Sequence, residues 1–63
     1  VTNDIHMEVI GLAEKIIHLS RKGAEINLDP ACLHIFQKAE ADCYVIKEMC
    51  KAEIAGHISK GKW

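Results

Sequence analysis

The sequence predicts an all-α protein, folded as a helical hairpin, and three observations support this. Apolar residues recur every three or four positions in two separate segments, the period of one face of an α-helix. Asp29-Pro30 stands between the segments, and an aspartate N-cap followed by proline is a strong helix-start signal. With 63 residues, the chain has room for a single small domain spanning 1–63.

The first helix is predicted over residues 3–22. Thr2, Asn3 and Asp4 are candidate N-caps, and an acidic side chain there favours the positive end of the helix. At the other end, Gly23 is expected to take the left-handed position that terminates many helices. The apolar seam of this helix, spaced 4-3-4-3, consists of Ile5, Val9, Leu12, Ile16 and Leu19.

The second helix is predicted over residues 30–58. The connection at 24–28 is short, so the two helices should be antiparallel neighbours. Leu28 and Leu33 have the spacing of a hydrophobic staple around the Asp29 cap. Gly56 weakens the last turns, which predicts a frayed tail from about residue 59. The seam of this helix includes Phe36, Ala39, Cys43, Ile46 and Cys50.

The predicted hairpin leaves apolar surface uncovered. A helix over 30–58 would be about 40 Å long and one over 3–22 about 30 Å, so roughly a third of the longer helix would lack cover. The chain also has only three aromatic residues with which to build a core. A second copy would supply the missing cover, so we expect an antiparallel homodimeric bundle with the seam residues at its centre.

The three cysteines share one face of the second helix. Cys43 and Cys50 are seven residues apart, about 10 Å along a helix, too far to share a metal ion or a disulfide. They are interpreted as small packing residues, and no metal or cofactor is predicted. A thiol or metal sensor between subunits remains an alternative. The odd cysteine count and the lack of a leader segment favour reduced thiols in the cytoplasm.

Composition and motifs argue against an enzyme. The chain has no glycine-rich phosphate loop and no obvious pairing of a nucleophile with a base. A net charge of −1 does not favour nucleic acid or membranes as partners. A nucleic-acid-binding (RNA or DNA) dimer stays the alternative function, with these candidate contacts: Lys47, Lys51, Lys60 and Lys62.

The chain resembles the small early-region accessory proteins of lambdoid phages. The resemblance rests on its length, on the opening VTNDIHMEVIGLAEKI, and on the stretch KAEADCYVIKEMCKAEI. It implies a protein of the host cytoplasm that tunes phage development or host physiology by binding host proteins. The plasmid RNA-binding adaptor Rop is similar in size and presumed hairpin-dimer shape. The leading hypothesis is therefore a non-catalytic regulatory interaction protein.

Overall fold

The protein consists of two α-helices packed side by side. The computed structural model describes residues 2–26 and 29–62, with α1 at Thr2–Ile26 and α2 at Pro30–Ser59. Contacts join the start of α1 to the end of α2, as between Asn3 and His57, so the helices are antiparallel. The molecule is a rod of 49 × 14 × 12 Å. The predicted all-α hairpin is confirmed.

The predicted end of the first helix is wrong. Gly23 lies inside α1, which continues to Ile26, so residues 24–26 of the expected connection are helical. Among the described residues, the glycine with a positive φ is Gly61. The residues after Gly23 are Ala, Glu and Ile, none of which disrupts a helix. A glycine ends a helix only where the residues after it do not continue the helical conformation, so α1 passes through Gly23.

Gly23 serves close packing instead. A Cβ atom placed on Gly23 would lie 2.6 Å from Cε2 of Phe36 in α2, closer than real carbon atoms approach. Glycine therefore lets the Phe36 ring lie directly against the backbone of α1. The conformational cost of glycine in a helix is offset here by that ring contact.

The start of α2 agrees with the sequence prediction. Asp29 is the N-cap, in extended conformation with φ −78° and ψ 119°, and its Oδ1 accepts a hydrogen bond from the Ala31 N–H at 3.1 Å. Pro30 occupies the first turn of α2. A backbone N–H at this position would have no acceptor within the helix, so the missing N–H of proline costs nothing. Leu28, half of the expected staple, lies outside the described residues.

The end of α2 is closed by a Schellman motif. The Lys62 N–H donates to the His57 carbonyl at 2.8 Å, and the Gly61 N–H donates to the Ile58 carbonyl at 2.9 Å. Gly61 has φ 72°, the left-handed conformation that this motif requires. The sequence predicts fraying from about residue 59; in the structure, α2 reaches Ser59 and residues 60–62 form this cap.

The two helices are more nearly equal in length than predicted from the sequence. They have 25 and 30 residues, or about 37 and 45 Å at the standard rise. The expected length difference, which supported a dimer, is therefore reduced from nine residues to five, because α1 continues past Gly23. Any case for a second copy must come from the sides of the hairpin.

The core lies in a narrow strip between the helices. Its buried apolar residues come from both helices and are mostly small or medium-sized: Ile10, Ala13, Ile17, Cys43 and Cys50. Ala13, Ile17 and Cys43 form one contiguous cluster. The face of α1 that meets α2 is thus rotated by about a quarter turn from the predicted seam of Ile5 to Leu19.

Two glycine substitutions should have opposite effects on stability. Gly11→Ala should raise the free energy of unfolding by about 0.5–1 kcal/mol, because no atom lies within 4 Å of the added Cβ and alanine favours helix. Gly23→Ala should lower it by about 1 kcal/mol, because the Phe36 ring must move. Chemical denaturation of both variants measures the two changes.

The Phe36→Leu background supplies the control. A smaller, flexible side chain removes the clash, so Gly23→Ala should become neutral or stabilising there while Gly11→Ala keeps its effect. An equal loss for Gly23→Ala in both backgrounds would contradict the proposed contact.

Candidate interaction surface

The hairpin has two unlike sides flanking the strip where the helices meet. One, here called the charged side, is formed by Glu14, Arg21, Glu40, Tyr44 and Lys47. Arg21 extends from α1 to α2, where its Nε donates to Glu40 and its terminal nitrogen donates to the Tyr44 hydroxyl at 2.6 Å. The hydrogen bond to Glu40, then that to Tyr44, raises the pKa of Arg21 above its ordinary value. The guanidinium therefore stays charged and joins the two helices.

Lys47 completes the charged side. Its side chain is only 20% exposed, and its Nζ lies 3.8 Å from Glu14 of α1. Both cations also lie near the Tyr44 ring: Arg21 is 5.7 Å and Lys47 is 5.8 Å from the ring centroid. These are distances of cation–π interactions. The charges thus satisfy one another across the hairpin, and the network favours one axial register of the helices.

A second polar contact joins the helices at their open end. Asn3, with no exposed surface, has its Oδ1 2.5 Å from the Nδ1 of His57. The other ring nitrogen of His57 is 3.7 Å from Glu53, and the His6 ring centroid lies 6.2 Å away. A buried amide oxygen is costly unless it is hydrogen-bonded, so this contact of Oδ1 also favours a single register. The Nδ2 of Asn3 is buried without a hydrogen-bond partner among the described residues.

The opposite side, here called the apolar side, carries seven of the twelve large hydrophobic residues that are exposed among the described residues. Its members are Ile5, Leu12, Ile16 and Leu19 of α1, and Ile35, Ile46 and Met49 of α2. Both helices border a shallow cleft on this side. His6 of α1 lines the cleft together with Ile46, Met49 and Glu53 of α2.

The apolar side is exposed along most of the rod. The exposed fractions of its members range from 43% for Ile16 and Ile46 to 64% for Leu19 and Met49. Single exposed hydrophobic residues are ordinary, but a contiguous row on two neighbouring helices is typical of a surface that another molecule covers. Four of the five predicted seam residues of α1 belong to this side. Their role in a seam between chains stays a prediction.

The predicted seam residues of α2 divide between two environments. Cys43 and Cys50 are buried against α1, Phe36 and Ala39 are partly buried, and Ile46 is exposed on the apolar side. Val9, the remaining seam residue of α1, is also partly buried.

The cysteines lie within the hairpin. Cys43 and Cys50 are each 8% exposed, and Cys32 is partly buried with its Sγ 3.4 Å from Asp29. All three are free thiols. Within residues 2–26 and 29–62, no three histidine, cysteine or acidic side chains are grouped closely enough to hold a metal ion. Burial of Cys43 and Cys50 against α1 weighs against the alternative of a sensor between subunits.

The four lysines considered for nucleic-acid binding are dispersed. Lys47 lies near Glu14 on the charged side, and Lys51 is 3.7 Å from Glu48. Lys60 and Lys62 are exposed and belong to the cap at the end of α2. Nearby carboxylates therefore offset two of the four positive charges.

Sequence reasoning missed the contacts that connect the helices. Asn3 is predicted as a candidate N-cap, and no sequence pattern pairs Arg21 with the second helix, whereas both side chains contact α2. One signal was available: Glu40 and Tyr44 are four residues apart and so share a helix face. Their pairing with Arg21 depends on the register of the hairpin, which no local pattern specifies.

Comparisons with other proteins give no relative. The chain matches no protein-family model, no curated protein and no solved structure. In the part of the chain that the structure describes, neither helix combines the length and apolar character needed to cross a membrane.

Replacing Asn3 tests the contact at the open end. Asn3→Ala should lower the free energy of unfolding by about 1–2 kcal/mol, because it leaves the partly buried His57 ring without its partner. Thr2→Ala, at an exposed neighbouring position, is the control and should change little. Denaturation of Asn3→Ala, His57→Ala and the double variant should give a coupling near 1 kcal/mol. Strictly additive losses would show that the contact does not stabilise the hairpin.

Proposed function

We propose that this chain is a non-catalytic regulatory protein that works by protein–protein interaction. It acts as an antiparallel homodimeric helical bundle and binds a host protein, thereby modulating phage development or host physiology. The observation that carries the proposal is the apolar side, where both helices expose large hydrophobic residues. The phage context comes from the sequence resemblance.

The distribution of polar groups supports an interaction role. The charges of Arg21, Glu40, Lys47 and Glu14 are used between the helices, where they hold the hairpin in register. The surface that takes no part in the contacts between the two helices is the apolar side. Such surface recognises other proteins, since contact with them removes it from water at roughly 25 cal/mol per Å².

Affinity capture from bacterial lysate should test the proposal. The tagged chain should recover a reproducible protein partner in stoichiometric amount, and direct titration with the purified partner should confirm binding. A variant carrying Leu12→Glu and Ile16→Glu should lose this partner, because both changes place charge on the apolar side and so disrupt the homodimer that binds the host protein. Ala41→Glu, on the exposed outer surface of α2, is the matched control. If no partner recurs, or if both variants retain it equally, the proposal fails.

The alternative of a nucleic-acid-binding regulator makes a different prediction. Contacts from Lys47, Lys51, Lys60 and Lys62 would give an affinity for RNA or DNA that falls steeply with salt. Because Lys47 and Lys51 lie near carboxylates, we expect no shift of short duplex RNA or DNA at physiological salt in an electrophoretic titration. A salt-dependent shift that Lys60→Gln and Lys62→Gln abolish would favour the alternative.

A further inference from the structure

We infer that a second copy of this chain covers the apolar side, with the two hairpins antiparallel and α2 of each copy lying along α2 of the other. This inference rests on the proposed function in taking the apolar side to be an interaction surface. To the homodimer of that proposal it adds the surface on which the two copies meet and the pairing of α2 with α2.

The size of the apolar side fits a dimer. One broad side of the rod measures 49 × 14 Å, a flat footprint of about 690 Å². Stable interfaces of standard size bury about 800 Å² of accessible surface on each partner, and accessible area exceeds flat footprint on a ridged helical surface. A second hairpin laid on this side therefore forms an interface of the usual extent, and the product is a four-helix bundle.

Stability explains why the occupant is a second copy. Among the described residues the single hairpin buries five apolar ones, and chains of this length often add oligomerisation, a metal or disulfides to their own core. A partner of another kind would leave the chain poorly supported whenever that partner was scarce. A second copy is always present when the chain itself is, and dimerisation stabilises the folded state more as the concentration of the chain rises.

Charges at the margin of the apolar side decide the orientation. Glu53 borders the cleft on this side, with its carboxylate 3.7 Å from His57 of the same helix. Lys38 shares its margin of α2 with Met49, eleven residues on, and its Nζ lies 3.2 Å from Asp42, so Glu53 of a second copy would be the second carboxylate beside Lys38. From the midpoint of α2, Glu53 lies about 13 Å towards the open end and Lys38 about 10 Å in the opposite direction.

An antiparallel dimer brings these charges together. When α2 lies along the α2 of an inverted copy, Glu53 of each copy comes within about one helical turn of Lys38 of the other. The twofold axis makes this contact twice. A parallel dimer that covers both apolar sides would instead set α2 of each copy along α1 of the other, whose members on this side are hydrophobic, so Glu53 and Lys38 would lose this contact. Opposite charges across the margin therefore favour the antiparallel arrangement.

Sedimentation equilibrium tests the occupant. The wild-type chain should be a dimer at micromolar concentration, and its thermal midpoint should rise with chain concentration, because dissociation accompanies unfolding. Leu12→Glu with Ile16→Glu should raise the dissociation constant more than about a hundredfold by burying charge at the interface. Ala41→Glu should remain dimeric. A monomeric wild type whose midpoint is independent of concentration overturns the inference, and that measurement does not depend on whether the double variant folds.

Charge reversal tests the orientation. Lys38→Glu alone and Glu53→Lys alone should each raise the dissociation constant about threefold to thirtyfold at low salt, because each disrupts two symmetry-related contacts. The double variant should recover affinity close to that of the wild type. Glu48→Lys, on a different face of α2, is the control and should change little. Failure of the double variant to recover, while each single change weakens the dimer, overturns the antiparallel orientation.

The results separate this inference from the proposed function. A monomer that still captures a host protein through the apolar side overturns the second copy and leaves only the host-binding part of the proposed function intact. A dimer that recovers no host partner confirms the occupant and overturns the regulatory role.

Discussion

The close approach of α1 to α2 along a narrow strip of small side chains is the constraint on which the rest of the structure depends. Ala13 and Gly23 of α1, with Cys43 and Cys50 of α2, leave little space between the helices. Ile10 and Ile17 are the larger branched side chains within the strip, and most of the others lie beside it. The small residues make the hairpin tight, and the tight hairpin places Leu12, Ile16 and their neighbours on the outside.

Polar contacts at two levels give this packing a defined register. A strip of small apolar residues resists sliding only weakly, because shifted positions bury similar area. Asn3 with His57 and Arg21 with Glu40 and Tyr44 connect the helices at points far apart along the rod. Moving the helices by one turn would break both sets and leave a buried amide without a partner, at a cost of the order of 1–3 kcal/mol. The hairpin therefore presents fixed and unlike sides.

A hairpin with one charged and one apolar side resembles half of a four-helix bundle. Its charges are mainly satisfied within the chain, while its large hydrophobic residues remain uncovered. Self-association of the apolar sides would leave the charged sides facing outwards, available to a further protein. Binding and stability are then linked, because any change that weakens the cover of the apolar side also weakens the chain that carries it.

Local signals in the sequence were enough to predict the all-α class, the two helices and the start of α2. Helical periodicity predicts the helices, and the Asp29-Pro30 cap predicts where α2 begins. The sequence by itself did not determine the end of α1, since whether Gly23 stops a helix or accepts a ring depends on Phe36, thirteen residues away. The direction in which each apolar stripe faces was likewise decided by tertiary packing. Both stripes are broad, so more than one face of each helix could be buried. Two helices can approach closely where small residues form much of the contact, as Ala13, Cys43 and Cys50 do here. The apolar side, the candidate site of function, is what that contact leaves exposed.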